Sequence, residues 1–115
     1  MKESTIESKA RTHALTLGYA CYKFKSDNNR AVPDRLFINR HGVTIYIEFK
    51  APGKKPSDAQ KRKAKEMGWP VTPIFWADDL AVAKMILGAC EGWQMTHRAG
   101  AMGNLIDLKY TCFDL

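Results

Sequence analysis

The sequence predicts an α/β fold in which helices flank a sheet, and three observations carry that expectation. Residues 35–39 and 43–50 are rich in aliphatic and aromatic residues, and the second run alternates, so both read as strands around the short turn Arg40-His41-Gly42. Helix-spaced apolar positions ending at a glycine lie on either side of this hairpin. A further strand-like run, 71–76, follows the second helix.

In chain order, residues 3–17 read as a helix, with Ile6, Ala10, Ala14 and Leu17 on one stripe and Gly18 just past the end. Residues 19–25 read as a first strand. A polar loop, 26–32, leads into Pro33, which cannot donate to a ladder and suits the first position of a strand. After the hairpin, Ala51-Pro52-Gly53-Lys54-Lys55-Pro56 is a loop, and Ser57-Asp58-Ala59-Gln60 has the form of a capping box opening a helix that Gly68 ends. Pro70 and Pro73 make 71–76 an edge strand or a short one. Asp78 or Asp79 caps a third helix reaching about Leu87, with Val82, Met85 and Ile86 on its apolar side and Gly88 beyond its end. In the tail, Ile106, Leu108, Tyr110 and Cys112 alternate with polar residues as in a late strand, which would extend the sheet or pair with a second copy of the chain.

The hairpin turn fixes a register. A three-residue loop favours a type I turn closed by a left-handed residue, and Gly42 stands where that conformation carries no Cβ penalty. Asn39 then faces Val43, Leu36 faces Tyr46, and Asp34 faces Glu48, with Lys50 on the same face. Two carboxylates opposite each other repel, so a cation between them is the expected compensation. A shift of one residue would send Glu48 to the other face.

Composition bounds the partner. The 115 residues suit one domain, 45% of them are apolar, and 18 Lys and Arg against 12 Asp and Glu give a net charge of +6. That excess favours a polyanion, with nucleic acid the first expectation and a merely soluble basic surface the alternative. Three cysteines without metal-ligand spacing indicate neither a disulfide framework nor a zinc site. A reducing cytoplasm fits them. No export signal or membrane span is legible, so a soluble, unexported protein is expected.

The order of Glu7 on a helix, Val32-Pro33-Asp34-Arg35-Leu36, Ile47-Glu48-Phe49-Lys50-Ala51-Pro52-Gly53 and Pro56-Ser57-Asp58-Ala59-Gln60 resembles the PD-(D/E)xK nuclease superfamily, and within it the virus-type replication-repair nuclease (VRR-NUC) domain. The likeness covers about residues 3–76 and departs at Ala31, where the family usually has glycine. It implies a restriction-endonuclease-like fold, a mixed central sheet flanked by helices, over one domain of residues 1–115. Residues 93–115 form an extension and a candidate dimer contact.

The resemblance further implies that Asp34 and Glu48 bind Mg²⁺ or Mn²⁺ with the main-chain carbonyl of Phe49, and that Glu7 completes the site through a metal-bound water. Lys50 would orient the attacking water or stabilise charge in the transition state. A general-base role would require its ammonium to give up a proton near neutral pH, which favours the electrostatic role. Gln60 would hydrogen-bond Lys50 or the phosphate. Plainer roles stand beside these: Glu7 complements the helix macrodipole, and Gln60 completes a capping box. Lys54, Lys55, Lys61, Arg62, Lys63 and Lys65 are expected to flank the site as phosphate contacts or to form an ordinary solvated face, with Arg30 and Arg35 as further nucleic-acid contacts.

The expected function is therefore metal-dependent DNA phosphodiester hydrolysis. Stand-alone members of the family come mostly from phages and resemble Holliday-junction resolvases acting as homodimers, so a phage protein working in the host cytoplasm is expected. The alternatives are a flap- or nick-specific nuclease and a non-catalytic nucleic-acid-binding module. Carboxylates facing a phosphate speak against the last, because alone they repel it.

Overall fold

A four-stranded mixed sheet forms the centre of the protein in the computed structural model, which describes residues 1–23, 31–94, 108–111 and 113. Helix α1 (Glu3–Thr16) precedes β1 (Ala20–Lys23), β2 (Arg35–Ile38) and β3 (Thr44–Phe49). Helix α2 (Asp58–Glu66), β4 (Ile74–Ala77), α3 (Leu80–Cys90) and a 3-10 turn (Leu108–Thr111) follow. The sheet order is β1-β2-β3-β4, antiparallel across the first two pairings and parallel between β3 and β4. Parallel pairing requires a crossover, and α2 supplies it. Among the described residues, no helix is long and apolar enough to cross a membrane.

The hairpin has the register its turn implies. Leu36 pairs with Tyr46 and Arg35 with Ile47, so one step further Asp34 lies opposite Glu48. Gly42 adopts φ +81°, and its amide donates to the Asn39 carbonyl at 3.0 Å. Asn39 holds more than the turn. Its side-chain oxygen accepts from the amides of His41 (2.9 Å) and Val43 (3.0 Å), while its Nδ2 donates to the carbonyls of Cys90 (3.0 Å) and Trp93 (2.8 Å). One buried amide thus ties the hairpin to the end of α3. Asn39→Ala leaves several buried backbone groups unpaired, each worth ~1–3 kcal/mol, so a loss of about 3 kcal/mol is expected. Urea unfolding would report it as a lower midpoint at unchanged slope.

Alternation along the strands divides the core. Phe37, Ile45, Ile47, Phe49, Phe75 and Ala77 face Ile6, Ala10 and Ala14 of α1 and Ala83, Ile86, Leu87 and Cys90 of α3. Ile74 and Trp76 face the other way, against Ala64 of α2 and Phe113, with Tyr46, Met67, Trp69 and Tyr110 around them. Each fully buried large side chain contributes ~1.5–3 kcal/mol of transfer free energy. The catalytic candidates sit at one end of this sheet, where β3 and β4 stop.

Several expectations change. The third helix runs on to Cys90, so Gly88 lies inside it, on an exposed position where a missing side chain costs no packing. Its buried face is centred on Ala83, Ile86, Leu87 and Cys90, and Met85 is exposed. Asp79 is the N-cap, accepting from the Ala81 amide at 2.8 Å. The last sheet strand begins at Ile74 rather than 71, after Pro73, whose carbonyl accepts from the Tyr46 amide. It is short and at a sheet edge, as its prolines imply.

In the tail, Leu108–Thr111 is a 3-10 turn and not a strand; Ile106 and Cys112 lie outside the described residues. Phe113, expected at a dimer contact, is buried within its own chain against Trp69. Part of the first predicted strand, residues 24 and 25, also lies outside the described residues.

Candidate metal and phosphate site

Three short segments converge where the sheet ends. The residue before β2 is Asp34, and its Oδ2 accepts from the Phe49 amide at 2.8 Å, which locks the two chain ends together. Glu48 is the penultimate residue of β3 and is only 4% exposed. Lys50 follows β3 directly, and its amide donates to the Ala77 carbonyl at 2.8 Å, so β4 fixes its backbone. Its Nζ stands 3.7 Å from Glu48 Oε1, an ion pair beyond hydrogen-bonding distance.

Gln60 joins the site from α2. Ser57 and Gln60 form the full capping box: Gln60 Oε1 accepts from the Ser57 amide at 2.9 Å, and the Gln60 amide donates to Ser57 Oγ at 3.2 Å. The remaining end of the same side chain, Nε2, donates to Glu48 Oε1 at 2.5 Å. Gln60 therefore caps the helix and orients Glu48 at once. Of the two partners expected for it, Lys50 or the phosphate, Lys50 is not the one bonded here; Nε2 is on Glu48.

Both carboxyls lie where burial disfavours their charge. Burial pushes the Glu48 carboxyl up to about 8, with the neighbouring Asp34 charge adding to the effect and Lys50 opposing it. Burial also raises Asp34, against the hydrogen bond from Phe49. Glu48 Oε2 is buried and has no hydrogen-bond partner among the described residues. An orphaned carboxylate oxygen beside a second carboxylate is costly unless a proton or a cation meets it. The donor set is all oxygen, which suits a hard divalent ion. Among the described residues no group of three or more His, Cys, Asp or Glu side chains could hold a metal, so the two carboxylates and the Phe49 carbonyl would leave the other positions to water and phosphate oxygens.

No family model matches the chain. A solved structure titled "VRR_NUC domain" superposes with a TM-score of 0.69 at 21% identity, covering 76% of this chain and 96% of that one. A curated relative, "Putative nuclease p44" of Acyrthosiphon pisum secondary endosymbiont phage 1, is 40% identical over 63 residues, which span 55% of this chain and 68% of that protein. The chain belongs to the VRR-NUC family.

Within this VRR-NUC domain the other expected site residues differ in their surroundings. Glu7 adds to the field that raises Asp34, yet its Oε1 is taken by Arg35 Nε at 2.8 Å. Arg35, expected to contact nucleic acid, is instead held inside: its side chain is 16% exposed, pairs with Glu7 and reaches Cys21 Sγ at 3.8 Å. Its strand position faces α1, away from Glu48. Lys54, Lys55 and Arg62 are exposed, and Lys61 is half-buried, along the loop and helix that follow Lys50. Lys63 pairs with Glu66, and Arg30 lies outside the described residues.

Sequence reading missed Glu3. One turn before Glu7 on α1, it adds negative charge at both Asp34 and Glu48. The i, i+4 spacing of Glu3 and Glu7 on one helix face was the available signal.

Proposed function

We propose that this VRR-NUC domain is a divalent-metal-dependent endodeoxyribonuclease acting on branched DNA as a Holliday-junction-resolvase-like homodimer in the host cytoplasm. The buried Glu48 Oε2, without a hydrogen-bond partner among the described residues and beside Asp34 and Lys50, carries the reading. Asp34, Glu48 and the Phe49 carbonyl would hold Mg²⁺ or Mn²⁺. When bound, the ion supplies a Lewis acid for the phosphodiester and eases loss of a proton from water. Lys50, beside the carboxylates, offers positive charge where the phosphorane-like transition state gathers negative charge. Gln60 keeps Glu48 in one orientation. In the reaction a water oxygen bonds to phosphorus and one bridging P–O bond breaks, leaving a phosphate monoester on one end and a hydroxyl on the other.

Lys54, Lys55, Lys61 and Arg62 extend positive charge from the site along α2, which supports a phosphate-backbone partner. Symmetry supports the dimer: one chain offers one such site, whereas resolving a four-way junction takes two cuts. Free thiols at Cys21 and Cys90 and the phage relative support action in the host cytoplasm. A labelled four-way junction, a flap and a plain duplex, incubated with Mg²⁺, Mn²⁺ or EDTA, test the reading. Paired metal-dependent cuts in the junction are expected, from a protein that sediments as a dimer at micromolar concentration. Cutting confined to flaps would displace the resolvase reading, and a monomer that resolves junctions would displace the homodimer, each while keeping the chemistry.

A further inference from the structure

Among the described residues, the sheet face that carries Glu48 is covered at β4 and opens towards β1. In the strand register Tyr22 pairs with Leu36, Leu36 with Tyr46 and Tyr46 with Ile74, one row across the whole sheet. Burial falls along that row. Ile74 is buried against Ala64 of α2, Tyr46 and Leu36 are half-buried, and Tyr22, on the edge strand β1, is 57% exposed. The next row holds Asp34, Glu48 and Trp76. Side chains two residues apart on a strand leave the same face, so Tyr22 stands on the face of Asp34 and Glu48. Two strand spacings across and two residues along put it ~12 Å from Glu48.

We propose that Tyr22 is a stacking platform for an unpaired nucleotide of the substrate, a short way along the strand from the phosphodiester held at Glu48 and Lys50. The inference rests on the nuclease reading and deepens it by naming a feature of the DNA that the site selects. Charge and continuity with the site argue for this occupant. Helix α2 borders Glu48 through Gln60, and Lys54, Lys55 and Arg62 are exposed on that helix and the loop before it. A polynucleotide tracked by these charges over Glu48 leaves the site across β2 towards β1. There the floor turns apolar and aromatic, from Tyr46 and Leu36 to Tyr22. A phosphate gains nothing from such a floor, whereas every base has a π-face to lay on a ring. The ring is also held ready. β1 is hydrogen-bonded to β2, which fixes its backbone, and a tyrosine has only two side-chain torsions to order. A base inside a duplex must first be unstacked, so an unpaired one at a branch or flap is favoured.

Binding of a labelled single strand, a flap and a plain duplex with Ca²⁺ in place of Mg²⁺, for the wild type, Tyr22→Phe and Tyr22→Thr, tests this. Threonine keeps the preference for a strand and removes the ring. Tyr22→Thr should lose ~5–150-fold in affinity for the single strand and the flap, the range one base–aromatic stack supplies, and little for the duplex. Tyr22→Phe should follow the wild type. Because the contact is uncharged, plots of log affinity against log salt should stay parallel for all three proteins. Equal affinities across the three would overturn the proposal. So would an equal loss on the duplex, or a shallower salt slope for Tyr22→Thr, which marks a phosphate contact. A wild-type dimer that Tyr22→Thr converts to a monomer would overturn it too, by giving the face to a second copy of the chain. Failure of the wild type to bind any of the DNAs would overturn both this inference and the nuclease reading; normal binding and cleavage with no Tyr22 effect would overturn this inference alone.

Discussion

Glu48→Gln should abolish metal-dependent cleavage, by at least ~10³-fold, while making the metal-free protein more stable at pH 8. Loss of activity and gain of stability have one cause. The folded protein holds the Glu48 carboxyl in a place that disfavours charge, pushing it up to about 8 from an ordinary value of 4.5. Between those values the folded state keeps a proton that the unfolded chain releases, so stability in EDTA is fullest below pH 4.5 and falls as pH rises towards about 8. Asp34 is raised as well and acts in the same direction.

Glutamine keeps an oxygen to accept from Gln60 and carries no charge to bury. The variant should therefore lose most of the pH slope and gain on the order of a few kcal/mol at pH 8, several degrees in melting temperature for a domain of this size. Mg²⁺ or Mn²⁺ requires the carboxylates charged, so it should stabilise the wild type more at pH 8 than at pH 6 and leave the variant almost unaffected. Thermal melts across pH, with and without metal, read all of this. A wild-type profile identical to that of Glu48→Gln would refute the cation site.

Lys50→Ala should lower kcat by about 10²–10³ with little change in KM. The side chain is 3.7 Å from Glu48 Oε1 and 17% exposed, so a phosphate drawn to an ion on the proposed site would meet its charge. Because Lys50 carries no ligand atom for the ion, metal should still bind this variant, which separates it from Glu48→Gln. Lys50→Arg should recover only part of the rate, since a planar guanidinium delivers its charge in a different shape from a compact ammonium. Single-turnover cleavage together with calorimetric titration of metal would distinguish the two variants. Equal loss of metal binding in both would reassign Lys50 to holding the carboxylates.

What the sequence discloses here is what local rules govern. Gly42 and the length of the Arg40-His41-Gly42 turn determine the hairpin register, and register alone brings Asp34 opposite Glu48. Ser57 and Gln60 announce their capping box by spacing. Contacts between distant segments leave weaker traces. Asn39 reads as an ordinary strand end, and only the fold shows its amide reaching Cys90 and Trp93. Arg35 reads as a basic contact residue because charge is visible in the sequence while its partner, Glu7, is 28 positions away. The alternation around Leu108 and Tyr110 imitates a strand, but it arises from a turn that Trp76 anchors by its indole N–H. Gly88 misplaces a helix end because an exposed glycine is tolerated inside a helix that a buried face holds.

Asp34, Glu48 and Lys50 are proposed to form one metal-dependent hydrolytic site. Nicking of supercoiled plasmid by the wild type, Asp34→Asn, Glu48→Gln and Lys50→Ala, each with Mg²⁺, Mn²⁺ or EDTA, tests it most directly. The expected result is cutting by the wild type with metal and none in EDTA, with each variant reduced at least ~10²-fold while still folded by its melting curve. Cutting in EDTA, or a folded Glu48→Gln protein that nicks at the wild-type rate, would contradict the claim.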